Sequence, residues 1–131
     1  DVQIDLNEKF GASLKDAPGL LAKAAELGFE PLGVTFHVGT QSFRPENYAT
    51  GVTSSMLIAR IVKERYGFEL KAINIGGGFP DPFYAAAHGV ELDKLFAEIR
   101  NACLPAIEAG FALFAEPGRF GLSAEQFREL R

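Results

Sequence analysis

A single cysteine, Cys103, excludes any disulfide within the chain. That scarcity fits a reducing cytoplasm, where thiols stay reduced. Long apolar runs are missing too. Nothing approaches the roughly 18 residues needed to cross a bilayer. Basic charge is not in excess: 13 Lys and Arg stand against 17 Asp and Glu, a formal net charge of −4 with both signs interspersed. No basic run points to nucleic acid or to a membrane surface. The two histidines and the cysteine do not have zinc-ligand spacing. Neither a P-loop G-K-[ST] nor a G-x-G-x-x-G fingerprint occurs. No signal peptide is read at the N-terminus, and the chain starts at Asp1 rather than Met, so an upstream segment is compatible with it.

What is present is a globular composition. Of the 131 residues, 47% are apolar and 23% charged, enough for a core and too apolar for a disordered chain. Short β-like runs alternate with longer helical ones. Strands are expected at Val2–Leu6, Leu32–His37, Leu70–Ile75 and Phe111–Glu116. Helices are expected at Ala17–Gly28, at Pro45–Gly67 and at Glu91–Gly110, with a kink or break at Pro105. Ser123 is placed to N-cap a fourth helix over Ser123–Leu130. Cys103 falls inside the Glu91–Gly110 helix and reads first as a small buried hydrophobe, second as a reactive thiol.

A faint repeat runs through this pattern. "GFEPLGVTFHVG", "GFELKAINIGGG" and "GFALFAEPGRF" each set a helix-ending Gly-Phe before an apolar strand and an abrupt polar or glycine-rich motif. Repeated βα units imply parallel strands joined by crossovers. In such sheets and barrels the ligand lies beyond the strands' C-terminal ends. The motifs "HVGT", "GGG" and "EPGR" fall at those ends. His37, Gly76 and Glu116 are separated by 39 and then 40 residues, so each holds nearly the same place in its unit. Equal placement on neighbouring strands puts all three on one rim.

Each rim residue has a chemical reading and a plainer one. Gly76, Gly77 and Gly78 can offer backbone N–H groups to a phosphate with no Cβ in the way, or they can simply turn the chain, for which one glycine usually suffices. Arg119 presents a planar fork of donors suited to phosphate, or a surface ion pair. Glu116 can hold a proton on a ring nitrogen or coordinate a metal, or it closes the turn against Arg119. His37 can stack on a planar cofactor or exchange protons, or it is an ordinary rim histidine. Thr40 can donate its hydroxyl to an anion, or cap the loop. His88, in "AAAHGV", reads as surface loop. Together these features suit a phosphorylated, flat, nitrogen-containing ring, and pyridoxal 5′-phosphate satisfies all of them.

The motifs "GVTFHVGTQ", "INIGGGFP" and "AEPGRF", in this order, resemble the alanine-racemase-like (fold type III) pyridoxal-phosphate decarboxylases. Within them the resemblance is to the ornithine/diaminopimelate/arginine decarboxylase group, and "FHVG", "GGGFP" and "NEKFGA" lean toward its ornithine decarboxylase branch. The resemblance implies that His37 stacks on the pyridine ring and that Gly76, Gly77 and Gly78 hold the phosphate with Arg119. It implies that Glu116 pairs with the protonated ring nitrogen, keeping the ring an electron sink. Thr40 stands where the family usually has serine and keeps the hydroxyl. The activity implied is decarboxylation of a basic amino acid such as ornithine, in polyamine biosynthesis, by a homodimer.

Three departures accompany the resemblance. The family's Schiff-base lysine belongs to an early strand that this sequence does not contain, and Lys9 lacks that motif context, so the segment alone is expected to be inactive. The family's C-terminal β-domain is not represented. "SAEQFRELR" reads as a polar helix start where the family returns to an apolar strand. A complete (β/α)8 barrel needs about 250 residues. The expected architecture is therefore α/β: a partial TIM-type barrel of about four parallel strand–helix units, residues 1–131 being its central part. Such a sector leaves two strand edges open. Two rival readings stand beside the decarboxylase: a non-catalytic regulatory homologue that keeps the rim, and an unrelated α/β domain binding a phosphorylated metabolite.

Overall fold

The computed structural model describes residues 11–40 and 42–118. Seven elements follow one another in it. They are α1 (Ala17–Glu26), β1 (Gly33–Thr35), α2 (Pro45–Tyr66), β2 (Ala72–Asn74), α3 (Pro82–Ala87), α4 (Leu92–Glu108) and β3 (Ala112–Phe114). The expected strand Val2–Leu6, Lys9 and the expected helix Ser123–Leu130 lie outside the described residues.

The three strands form one parallel sheet in the order β1-β2-β3. Gly33 pairs with Ala72 and Ala72 with Ala112, so the register steps are the same 39 and 40 residues that separate the motifs. The ladder reaches past the strand ends. Phe36 N donates to Asn74 O at 3.1 Å, Ile75 N to Phe114 O at 2.8 Å, and Glu116 N to Gly76 O at 2.8 Å. The fold is thus the α/β sector expected, with parallel strands alternating with helices.

Alternation fixes which face is covered. Val34, Phe36, Ile73, Ile75 and Leu113 turn toward the helices, and Ile73 is fully buried. Thr35, Asn74 and Phe114 form one row on the other face, where Phe114 stays 57% exposed. The helices supply matching stripes. In α2 the buried positions Tyr48, Val52, Ser55, Ile58, Ala59 and Val62 recur every three or four residues, and in α4 so do Leu95, Ile99, Cys103 and Ala106. Burying each large apolar side chain stabilises by roughly 1.5–3 kcal/mol.

Local chemistry sets the helix ends. Pro45 opens α2, Glu46 favours its N-terminus, and Gly67 closes it in the left-handed region at φ 76°. The break expected at Pro105 does not occur: α4 continues through it to Glu108. The missing N–H deprives only the Asn101 carbonyl, and Asn101 is exposed, so water can take the bond. One helix was not expected from the sequence. α3 is nucleated by Asp81, whose Oδ1 accepts from Tyr84 N at 2.9 Å, with Pro82 in the first turn. His88 caps its C-terminus instead of lying in a free loop, and it is exposed, as a surface residue should be. Its Nδ1 lies 2.8 Å from Tyr84 O and its ring 4.2 Å from the Tyr84 ring. Among the described residues no helix is long and apolar enough to cross a membrane.

Candidate functional site

The C-terminal ends of the three strands meet at the glycines. Continuing the register two residues beyond Thr35, Asn74 and Phe114 gives His37, Gly76 and Glu116, one on each neighbouring strand end. Gly76 is buried between the two neighbouring strand ends, and His37 and Glu116 are exposed. Thr40 is exposed on the loop after β1. Arg119, and with it an ion pair to Glu116, lies outside the described residues.

Three glycines are needed because three different pieces of backbone press on them. A Cβ on Gly76 would stand 2.3 Å from Phe36 O, one on Gly77 2.8 Å from Glu116 O, and one on Gly78 2.1 Å from Gly39 O. Gly76 and Gly78 also adopt φ of 72° and 86°, where a side chain is strained. A single turn glycine could not serve all three contacts. The crowding also gathers the site, since the Gly77 position lies 4.0 Å from His37 Cε1 as well as against the Glu116 carbonyl.

The glycine carbonyls are all engaged by protein. Gly76 O accepts from Glu116 N at 2.8 Å, Gly77 O from the Tyr48 hydroxyl at 3.2 Å, and Gly78 O from Ser42 N at 2.8 Å. The donors divide differently. Gly76 N donates to Asn74 Oδ1 at 2.8 Å, so this amide is spent on holding the turn. The N–H groups of Gly77 and Gly78 have no such partner among the described residues. The anion-binding capacity read from the sequence therefore narrows to two amides, while Gly76 contributes shape.

Tyr48, Asn74 and Ser42 support this corner, and the motifs did not point to them. Tyr48 is fully buried, stacked on Phe79 at 5.7 Å. Burial, with the Cys103 thiol nearby, pushes its phenol up to about 12, so it remains a donor through the physiological range. Cys103 is a buried free thiol whose pKa burial also raises, which fits the small-hydrophobe reading. Asn74 carried a readable signal, a polar residue just before a glycine turn. Tyr48 carried none, because an aromatic residue in an amphipathic helix looks like any core residue.

The chemistry of this rim fits pyridoxal phosphate. Two glycine amides have no protein acceptor among the described residues, the His37 ring comes within 4.0 Å of the Gly77 Cβ position, and the Glu116 carboxylate belongs to the neighbouring strand end in the same register. Known proteins agree. Residues 3–123 match the family described as pyridoxal-dependent decarboxylase, pyridoxal binding domain. Mouse ornithine decarboxylase is 37% identical over 122 residues, which cover 88% of this chain and 24% of that protein. Antizyme inhibitor 2 of Xenopus laevis is 34% identical over 122 residues, 88% of this chain and 25% of that protein. The solved structure of the lysine/ornithine decarboxylase of Vibrio vulnificus with putrescine superposes with a TM-score of 0.74 at 31% identity, over 89% of this chain and 31% of that one. The chain spans about a quarter of the length of the curated relatives it matches. These likenesses remove the reading as an unrelated phosphometabolite-binding domain. With parallel strand ends carrying His37, the three glycines and Glu116 in register, the chain belongs to the pyridoxal-binding domain family of the pyridoxal-dependent decarboxylases.

Proposed function

We propose that this chain forms the cofactor rim of a pyridoxal-phosphate decarboxylase acting on a basic amino acid, ornithine first among them. The observation that carries the reading is the single row of His37, Gly76 and Glu116 across three parallel strand ends. In this reading the Gly77 and Gly78 amides, with Arg119 and the Thr40 hydroxyl, hold the phosphate. His37 lies against one face of the pyridine ring. Glu116 accepts the ring N–H and keeps that nitrogen protonated. Bound there, pyridoxal phosphate supplies an electron sink for the charge left when an amino acid loses its carboxylate. The Glu116 carboxylate stabilises the cationic ring by its charge and does not attack the substrate.

The test is carbon dioxide release by the full-length protein. Ornithine, lysine, arginine and diaminopimelate are offered in turn with pyridoxal phosphate present. Release from ornithine or lysine supports the reading; cofactor binding without release from any of the four sinks it. That second outcome is what the rival reading expects, a regulatory homologue that keeps the rim. The likeness to an antizyme inhibitor, at 34% identity, is the observation that favours it. The proposal extends to a homodimer in the cytoplasm working in polyamine biosynthesis, supported by the family likeness and by the lone buried thiol. Sedimentation at micromolar concentration checks the dimer.

A further inference from the structure

The side chain that decides which way the glycine amides point comes from a helix, not from the rim. A trans peptide holds its C=O and N–H on opposite sides, and no peptide bond in the described chain is cis. The direction of the Gly77 carbonyl therefore fixes the direction of the Gly78 N–H. That carbonyl accepts from the Tyr48 hydroxyl at 3.2 Å, across 29 residues of sequence. Tyr48 is itself fixed: it is fully buried in the core of α2, β2 and α4 and stacked at 17° on Phe79, the residue after the third glycine.

A peptide between two glycines is the easiest to invert, because neither side carries a Cβ to resist the rotation. The neighbouring peptides are held from outside the turn by Glu116 N and Ser42 N. Among the three glycine carbonyls, only that of Gly77 is held by a side chain. We propose that Tyr48 is a positioning residue: its hydroxyl holds the Gly77 carbonyl toward the core and so keeps the Gly78 N–H aimed outward at the phosphate. This rests on the reading of the rim as a pyridoxal-phosphate site. Tyr48 touches neither cofactor nor substrate and acts through the backbone alone. Its hydroxyl is a committed donor, since the buried phenol stays protonated.

Tyr48→Phe removes the hydroxyl and keeps the stacked ring, so it isolates the hydrogen bond. Two ligands are titrated into the full-length protein and the variant: pyridoxal phosphate and pyridoxal, which lacks the phosphate. The expected result is a loss of affinity for pyridoxal phosphate of about threefold to tenfold, the size of one neutral hydrogen bond, with pyridoxal unchanged. In glycine-labelled wild-type protein the Gly78 amide resonance should move on adding pyridoxal phosphate while that of Gly76, already bonded to Asn74, moves less. Equal affinity of the variant for pyridoxal phosphate overturns the inference, and so does equal weakening toward both ligands, which marks a merely structural role. If the variant does not fold, the wild-type spectrum decides, and a Gly78 amide unmoved by bound pyridoxal phosphate refutes it. Wild-type protein that binds no pyridoxal phosphate at all takes down the proposed function instead, and this inference with it.

Discussion

The position that a Gly77 side chain would occupy lies 2.8 Å from the carbonyl oxygen of Glu116. Two strand ends approach closely enough there that only a hydrogen atom fits between them. The same carbonyl-to-backbone crowding recurs at Gly76 and Gly78, with φ in the left-handed region added. Gly78→Ala combines both penalties and Gly77→Ala only the first. The expected cost is about 1–3 kcal/mol for Gly77→Ala and more for Gly78→Ala. Gly19 is the contrast: it lies inside α1 with nothing within 4 Å and no unusual φ, so Gly19→Ala should stabilise by about 0.5–1 kcal/mol. Urea midpoints of the three variants check the order.

His37 and Glu116 are exposed and should be nearly free of stability cost. Their replacement by alanine is expected to shift the unfolding free energy by no more than about 0.5 kcal/mol. Affinity for pyridoxal phosphate should nevertheless fall at least about tenfold for Glu116→Ala, which removes a charge-assisted hydrogen bond. A denaturation curve and a cofactor titration on the same sample separate the two effects. Unchanged affinity in both variants would remove these residues from the site.

The short helix α3 depends on Asp81. Its carboxylate caps Tyr84 N at 2.9 Å, and six residues of helix are too few to persist without such help. Asp81→Ala should cost about 1 kcal/mol and fray the helix. The Phe43–Tyr84 stacking at 5.3 Å would loosen with it. Faster hydrogen exchange at Val90 N, which bonds to Ala85 O at 2.9 Å, is the local readout.

Alkaline pH should unfold the domain through Tyr48. Burial raises its phenol from 10.0 to about 12, and burial raises the Cys103 thiol beside it. A raised pKa means that the folded state favours the protonated form. The contribution is therefore complete below pH 10 and is lost as pH climbs from 10 toward 12, by about 2 kcal/mol for the tyrosine. Denaturant midpoints measured from pH 8 to 11 should fall at the upper end, and Tyr48→Phe should flatten that fall.

The sequence made the larger frame legible. Its alternation of apolar strands with longer helical stripes identified the three described strands and helices α1, α2 and α4, because burial on one face imposes a period that side chains cannot hide. The spacing of His37, Gly76 and Glu116 turned out to equal the sheet register, since repeated βα units of similar length place like motifs at like heights. Errors occurred where local and tertiary effects compete. Pro105 reads as a kink or a break, yet the helix does not break there, because close to an exposed helix end the missing N–H costs one carbonyl bond that water can supply. The six residues of α3 are too short to show a period, and their cap was the only available sign.

By itself, then, the sequence determined the order of the three strands and the long helices, and which three strand ends would share a rim, while its motifs carried the resemblance to the family. These follow from residue type and spacing, which are local properties of the chain. Only the tertiary structure decided why all three glycines are needed and which of their amides remain for a ligand. Those answers depend on carbonyls from Phe36, Glu116 and Gly39, on Asn74 taking one donor, and on a tyrosine 29 residues away holding one acceptor. Hydrogen-bond direction is set by whatever the fold brings alongside, and no run of letters records it.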